Sequence, residues 1–346
     1  MKEIRTIVAA WQSLDLTQTK AALATVVRVE GSSYRRAGAR MLVLDDGTYL
    51  GGISGGCLEG DALRRAQKGI ALQRPSVITY DTTQDDDYQI GVGLGCQGII
   101  DVLFTPLKPD DPHCPLRILA GLTSIRQPAV VITITGSPDP QHLGAAWLHT
   151  NTAAKPPYSS PSPEDPTGDS PAALIPEIDQ ALADRQSRAI TLGDTRYFVE
   201  IVLPAIHIVA YGGSYDIHTL RRQTVELGWD FTIINKKNPQ TPVIDDYTAI
   251  LLMSHDYNTD KRNLQLVLPS PATYIGILGP HKRAEKLFAE VGIKDADLPR
   301  IYAPAGLDIG AATPEEIALS ILAEVRSHFS NRQGSSLRHR EGSIYS

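Results

Sequence analysis

Four glycines and a thiol fall within one short stretch, Gly51-Gly52-Ile53-Ser54-Gly55-Gly56-Cys57-Leu58-Glu59. A backbone so poor in Cβ atoms lets amide N–H groups close on a ligand and adopts positive φ where a tight turn needs it. A thiolate beside such amides is a nucleophile and a soft metal ligand, so Cys57 suits sulfur or metal chemistry. The competing reading is a small side chain packed in a turn, because free cysteine is often buried and inert. Cys96 has a similar setting in Gly91-Val92-Gly93-Leu94-Gly95-Cys96-Gln97-Gly98, whereas Cys114, beside Pro115 in a connector, reads as incidental. Arg35, Arg36 and Arg40 precede the loop and have the forked donors that grip phosphate, although solvated charge is the default for arginine. Glu59 reads as a first-turn acid that complements a helix dipole, as one that caps or orients the helix after Cys57, or as a proton acceptor.

The elements around Cys57 follow from periodicity. Ile4, Ile7, Val8 and Trp11 recur at helical spacing. Residues 22–30 and 39–44 read as strands, and Asp45-Asp46-Gly47 turns the second into a third at 48–50. That third strand enters the glycine loop, and Ala62, Leu63, Ala66 and Ile70 then take up a helical pattern. Cys57 is therefore expected between a strand end and a helix start, where unpaired N–H groups and the positive dipole end favour an anion. Further on, 77–80, 129–136, 144–148 and 196–202 read as strands, and 116–125 and 176–185 as helices. Residues 151–171 are dense in Pro, Ser and Asp and read as a mobile surface loop.

Leu203-Pro204 marks the expected domain boundary. Strands at 206–211, 229–234, 249–253 and 273–278 alternate with helical segments, the pattern of a parallel sheet covered on both faces. Thr313-Pro314-Glu315-Glu316 is a capping box with proline at the first helical position. The domains expected are 1–203, 204–330 and a flexible tail at 331–346. In the second domain a ligand belongs at the strand C-termini, near Gly212, Gly213, His255 and Gly279. A dinucleotide fingerprint needs a second glycine and a third small residue, and Ser214 and Ile217 stand there. Asn235, followed by Lys236 and Lys237, replaces the acid expected to hold a ribose. These departures argue against ordinary nicotinamide binding and leave an altered nucleotide site as the alternative. His255, beside Asp256, reads as site furniture, as a base, or as a satisfied loop histidine.

The chain of 346 residues has 42% hydrophobic and 21% charged residues and a net charge of −6, values of a globular protein of two domains. No long basic stripe is present, so nucleic acid is not an expected partner. Three cysteines without CxxC spacing point to a reducing cytoplasm. The first residues read as an amphipathic helix and not as a signal peptide, and no apolar window long enough to span a membrane occurs.

Several motifs resemble one family. Ala24-Thr25-Val26-Val27, Gly31-Ser32-Ser33, Gly38-Ala39-Arg40-Met41-Leu42-Val43, the Cys57 loop and Gly93-Leu94-Gly95-Cys96 resemble the N-terminal domain of the XdhC/CoxI xanthine dehydrogenase accessory proteins. Met253-Ser254-His255-Asp256, Tyr274-Ile275-Gly276-Ile277-Leu278-Gly279 and Ala303-Pro304-Ala305-Gly306-Leu307-Asp308-Ile309-Gly310 resemble their C-terminal domain. The resemblance implies an α/β fold, an N-terminal XdhC/CoxI-type domain with a mixed sheet plus a C-terminal Rossmann-like parallel-sheet domain. It implies a factor that holds the molybdenum pterin cofactor as cargo and helps deliver its sulfurated form to a xanthine dehydrogenase-type molybdenum hydroxylase. A cysteine desulfurase would be a further partner, and a homodimer is compatible with the chain. The cofactor-binding residues expected are Gly52, Ser54, Gly55, Gly56, Cys57, Arg40 and Cys96, with Gly212, Gly213 and His255 in the second domain and Cys57 as the metal ligand. Gln97 departs from the family's usual glycine beside Cys96. The role implied is binding and delivery, with a nucleotide-dependent oxidoreductase or a partner-binding scaffold as alternatives.

Overall fold

The structure, a computed structural model, describes residues 1–81, 98–149 and 173–341. The expected mobile loop at 151–171 and Cys96 lie outside the described residues. The chain divides into two compact units, Glu3–Leu203 and Pro204 onward.

In the first unit, β1 (Ala21–Gly31) is the central strand of a sheet with β2 (Arg40–Leu44), β3 (Tyr49–Gly51), β4 (Ser76–Asp81) and β5 (Gly98–Pro106). The order is β3-β2-β1-β5-β4, and each neighbouring pair runs antiparallel. Successive β1 side chains point to opposite faces, as strand geometry requires. Ala22, Ala24 and Val26 meet Ala62, Ala66 and Ile70 of α2 (Glu59–Leu72). Ala21 and Leu23 face the other way, toward Ile4, Ile7, Val8 and Trp11 of α1 (Lys2–Gln12).

The second sheet of this unit has the order β7-β6-β9-β8. It is built from β6 (Ala129–Gly136), β7 (Ala146–His149), β8 (Arg188–Leu192) and β9 (Thr195–Val202), again paired antiparallel. One face packs on Leu116, Leu119 and Leu122 of α3 (Pro115–Leu122), and the other on Ile178 and Ala181 of α4 (Ile175–Asp184).

The second unit is doubly wound. β10 (His207–Tyr211), β11 (Asp230–Ile234), β12 (Thr248–Leu252), β13 (Tyr274–Ile277) and β14 (Ile301–Tyr302) form a parallel sheet of order β11-β10-β12-β13-β14. Ile208, Ala210 and Leu251 pack under α5 (Tyr215–Glu226) and α8 (Pro314–Phe329). Val209, Tyr211 and Ile250 pack under α6 (Tyr257–Val267) and α7 (His281–Val291). The capping box expected at Thr313 is present, with the Thr313 side chain and Glu316 satisfying each other's backbone N–H. The α/β class with a Rossmann-like second half is as the sequence led us to expect, whereas the first unit carries two antiparallel sheets in place of the expected mixed one. Among the described residues no helix is long and apolar enough to cross a membrane.

Candidate functional site

β3 ends at Gly51, where φ is 86° and an added Cβ would lie 2.4 Å from the Arg40 carbonyl oxygen. Only glycine fits, and the chain leaves the sheet here, tied by a bond of 2.8 Å from Gly52 N to the same oxygen. Ile53 and Leu58 are both buried between the sheet and α2. They pin the two ends of the loop and leave Gly55, Gly56 and Cys57 exposed between them.

A polar network sets the shape of this bridge. Ser54 N and Oγ donate to the Glu59 carboxylate at 2.8 and 2.5 Å. The same hydroxyl oxygen accepts from Gly56 N at 3.2 Å and Leu58 N at 3.1 Å. Burial pushes the Glu59 carboxyl upward, but the bonds from Ser54 outweigh it and hold the group below its usual value. Glu59, in the first turn of α2, thus holds the loop through Ser54, a role that spacing along the chain did not indicate. Ser54 shapes the turn from within, and the amides of Ser54, Gly56 and Leu58 are already satisfied.

Tyr34, 64% exposed, escaped sequence reasoning. An added Cβ on Gly55 would approach its ring to 3.2 Å, so the absence of a side chain lets the aromatic face lie against the loop. Nothing in the spacing around Tyr34 signals this contact.

The arginines are placed differently from expectation. Arg40, expected to reach a phosphate, is 4% exposed and forms a buried ion pair with Glu200 of β9. Its Nη1 also donates to Gly38 O at 2.7 Å, and its backbone N to Glu3 Oε1 at 2.9 Å. It braces the framework beneath the loop. Arg35 pairs with Glu3 of α1. Among the described residues no cluster of three or more His, Cys, Asp or Glu is arranged to hold a metal ion, so Cys57 stands without companions of that kind.

In the second unit, strand order reverses between β10 and β12, which makes the ends of those strands the switch point where doubly wound sheets bind ligands. Gly212 lies against this crevice, and an added Cβ would come 2.4 Å from Met253 O. His255, in the left-handed region at φ 57°, places Nε2 2.9 Å from Asp216 Oδ2. Its partner is therefore Asp216 and not the adjacent Asp256, which instead caps α6 by accepting from Thr259 N at 2.7 Å. Asp216 Oδ1 accepts from the Ser214 hydroxyl and from Ile217 N. A carboxylate thus occupies the first turn of α5. Asn235, at the position of the ribose acid, donates to Gly212 O at 3.2 Å and accepts from Lys237 N and Asn238 N. Gly212, Gly213, Asn235 and His255 do converge, although as a network closed largely on itself.

Residues 16–81 match the family model described as XdhC and CoxI family, and residues 208–325 match the XdhC Rossmann domain. A Bacillus subtilis (strain 168) protein, named as a probable subunit of xanthine dehydrogenase, is 26% identical over 339 residues, covering 89% of this chain and 93% of its own. The Escherichia coli (strain K12) molybdenum cofactor insertion chaperone PaoD is 26% identical over 312 residues, covering 89% and 83%. A crystal structure described as a xanthine dehydrogenase from Bacillus halodurans superposes with a TM-score of 0.73 at 27% identity, covering 97% of this chain and 98% of that one.

Proposed function

This chain belongs to the XdhC and CoxI family, and we propose that it is a maturation factor that binds the molybdenum pterin cofactor at the Cys57 loop for delivery to a xanthine dehydrogenase-type hydroxylase. The observation that carries this reading is the exposed Cys57 on a loop pinned at Ile53 and Leu58 and shaped by Ser54 and Glu59. The matched family segment contains that whole loop. A thiolate there offers the soft donor that a molybdenum centre or its sulfur ligand prefers. Gly56, where an added Cβ would meet nothing within 4 Å, leaves the backbone open to a flat heterocycle, and the exposed Tyr34 ring lies beside it against Gly55. A desulfurase that charges the bound cargo with sulfur, a cytoplasmic site of action and a homodimeric state belong to the same proposal.

Purification without oxygen from cells that make the cofactor tests it. Bound molybdenum and oxidised pterin fluorescence should co-purify with the wild type and fall sharply in Cys57→Ala. Equal retention in the variant would remove Cys57 as a ligand, and absence of both from the wild type would remove the binding role itself.

A further inference from the structure

We infer a second binding site in the first unit, for a small phosphate-bearing anion, in a cleft remote from Cys57. The cleft encloses about 480 Å³ where residues 73–75, the end of β5, residues 113–115 and the turn before β7 converge. That volume is in the range of small-molecule sites. It opens at the end of the first sheet where Ala21 of β1 pairs with Leu44 of β2 and Ala22 with Pro106 of β5. The Cys57 loop leaves from the other end of β2, where Met41 pairs with Gly51.

The walls are built. Gly144, at φ 82°, brings its turn so close to β5 that an added Cβ would lie 3.0 Å from Thr105 Oγ1. Backbone bonds from Gly144 N to Ile134 O and from Ala146 N to His113 O, at 2.9 and 3.2 Å, hold that turn. His113 Nδ1 lies 3.3 Å from Ala146 O; a carbonyl only accepts, so the ring donates there and keeps Nε2 for another partner.

Charge decides the class of ligand. Arg74, Lys108, His113 and His142 line the cleft; the one acid among its lining residues, Asp111, accepts from His113 N at 2.8 Å, and at its rim Asp139 Oδ2 lies 3.9 Å from His142 Nε2. The side chains of Arg74 and Lys108 have no hydrogen bond or ion pair among the described residues. Two uncommitted cations, two imidazoles and the Thr105 hydroxyl around one concavity are the donors that phosphate oxygens accept from, in a chain whose net charge is −6. Freely solvated basic side chains are the competing account, and they would not bind saturably.

Titration of the full chain with inorganic pyrophosphate separates the two. The imidazole proton signals of His113 and His142, assigned through His113→Gln and His142→Gln, should shift saturably. The exposed pair Arg74→Ala/Lys108→Ala should keep the native circular dichroism and weaken binding by about tenfold or more, the factor that one lost charge-assisted bond supplies. Failure to saturate, unchanged affinity in the double variant, or shifts confined to His255 would overturn the assignment. The outcome is independent of whether Cys57 holds a cofactor.

Discussion

The Ser54 hydroxyl donates to the Glu59 carboxylate at 2.5 Å while its oxygen takes the amides of Gly56 and Leu58. One side chain therefore fixes both the turn before Cys57 and the start of α2. Ser54→Ala leaves two amides and the carboxylate short of partners and should cost about 1–2 kcal/mol. Urea unfolding followed by tryptophan fluorescence measures the loss, and hydrogen exchange at Gly56 and Leu58 should accelerate.

Arg40 and Glu200 are both nearly inaccessible, at 5% and 7% side-chain exposure. Removing one partner strands a buried charge, so Glu200→Ala should destabilise the first unit by about 3–5 kcal/mol. Arg40→Met with Glu200→Leu should recover most of that, because a packed apolar pair removes both desolvation costs. If the double variant is no more stable than Glu200→Ala, the pair is not acting as buried charges.

Much of this was legible in the residues. The stripe of Ile4, Ile7, Val8 and Trp11, the turn at Gly47, the helix after Cys57 and the capping box at Thr313 are local signals, and local signals survive without tertiary information. β8 was not legible, because Arg188–Leu192 alternates only between half-buried and exposed positions and lacks an apolar run. The true partners of Arg40 and His255, 160 and 39 residues away, depend on how strands are ordered. Spacing along a chain does not encode that order, so a plausible phosphate ligand became a framework ion pair.

At the switch point, neighbouring glycines should behave differently. Gly212→Ala places a Cβ 2.4 Å from Met253 O and 2.9 Å from Ile217 Cδ1, and should destabilise the second unit by about 1–3 kcal/mol. Gly213→Ala meets nothing nearer than 3.5 Å and should be close to neutral. Thermal unfolding of the two variants side by side checks the contrast.

His328 is held by Tyr302 Oη at 2.9 Å and Thr273 Oγ1 at 3.0 Å, and burial lowers its pKa from the usual 6.5, against an upward pull from Glu324. The unfolded chain then binds a proton before the folded one does, so stability rises with pH across this window. The contribution is complete above 6.5 and is lost as pH falls toward the folded value. Unfolding of the second unit, followed from pH 8 to 5, should show this acid loss in the wild type and a flatter profile in His328→Gln.

Asp216 supplies from within the chain the negative charge that the first turn of α5 would otherwise seek from a ligand. A domain that borrows an anion from solution gains stability in proportion to the logarithm of that anion's concentration. One that carries its own is released from that dependence. The start of α5 thereby keeps a negative charge of its own, whatever anions surround the second unit.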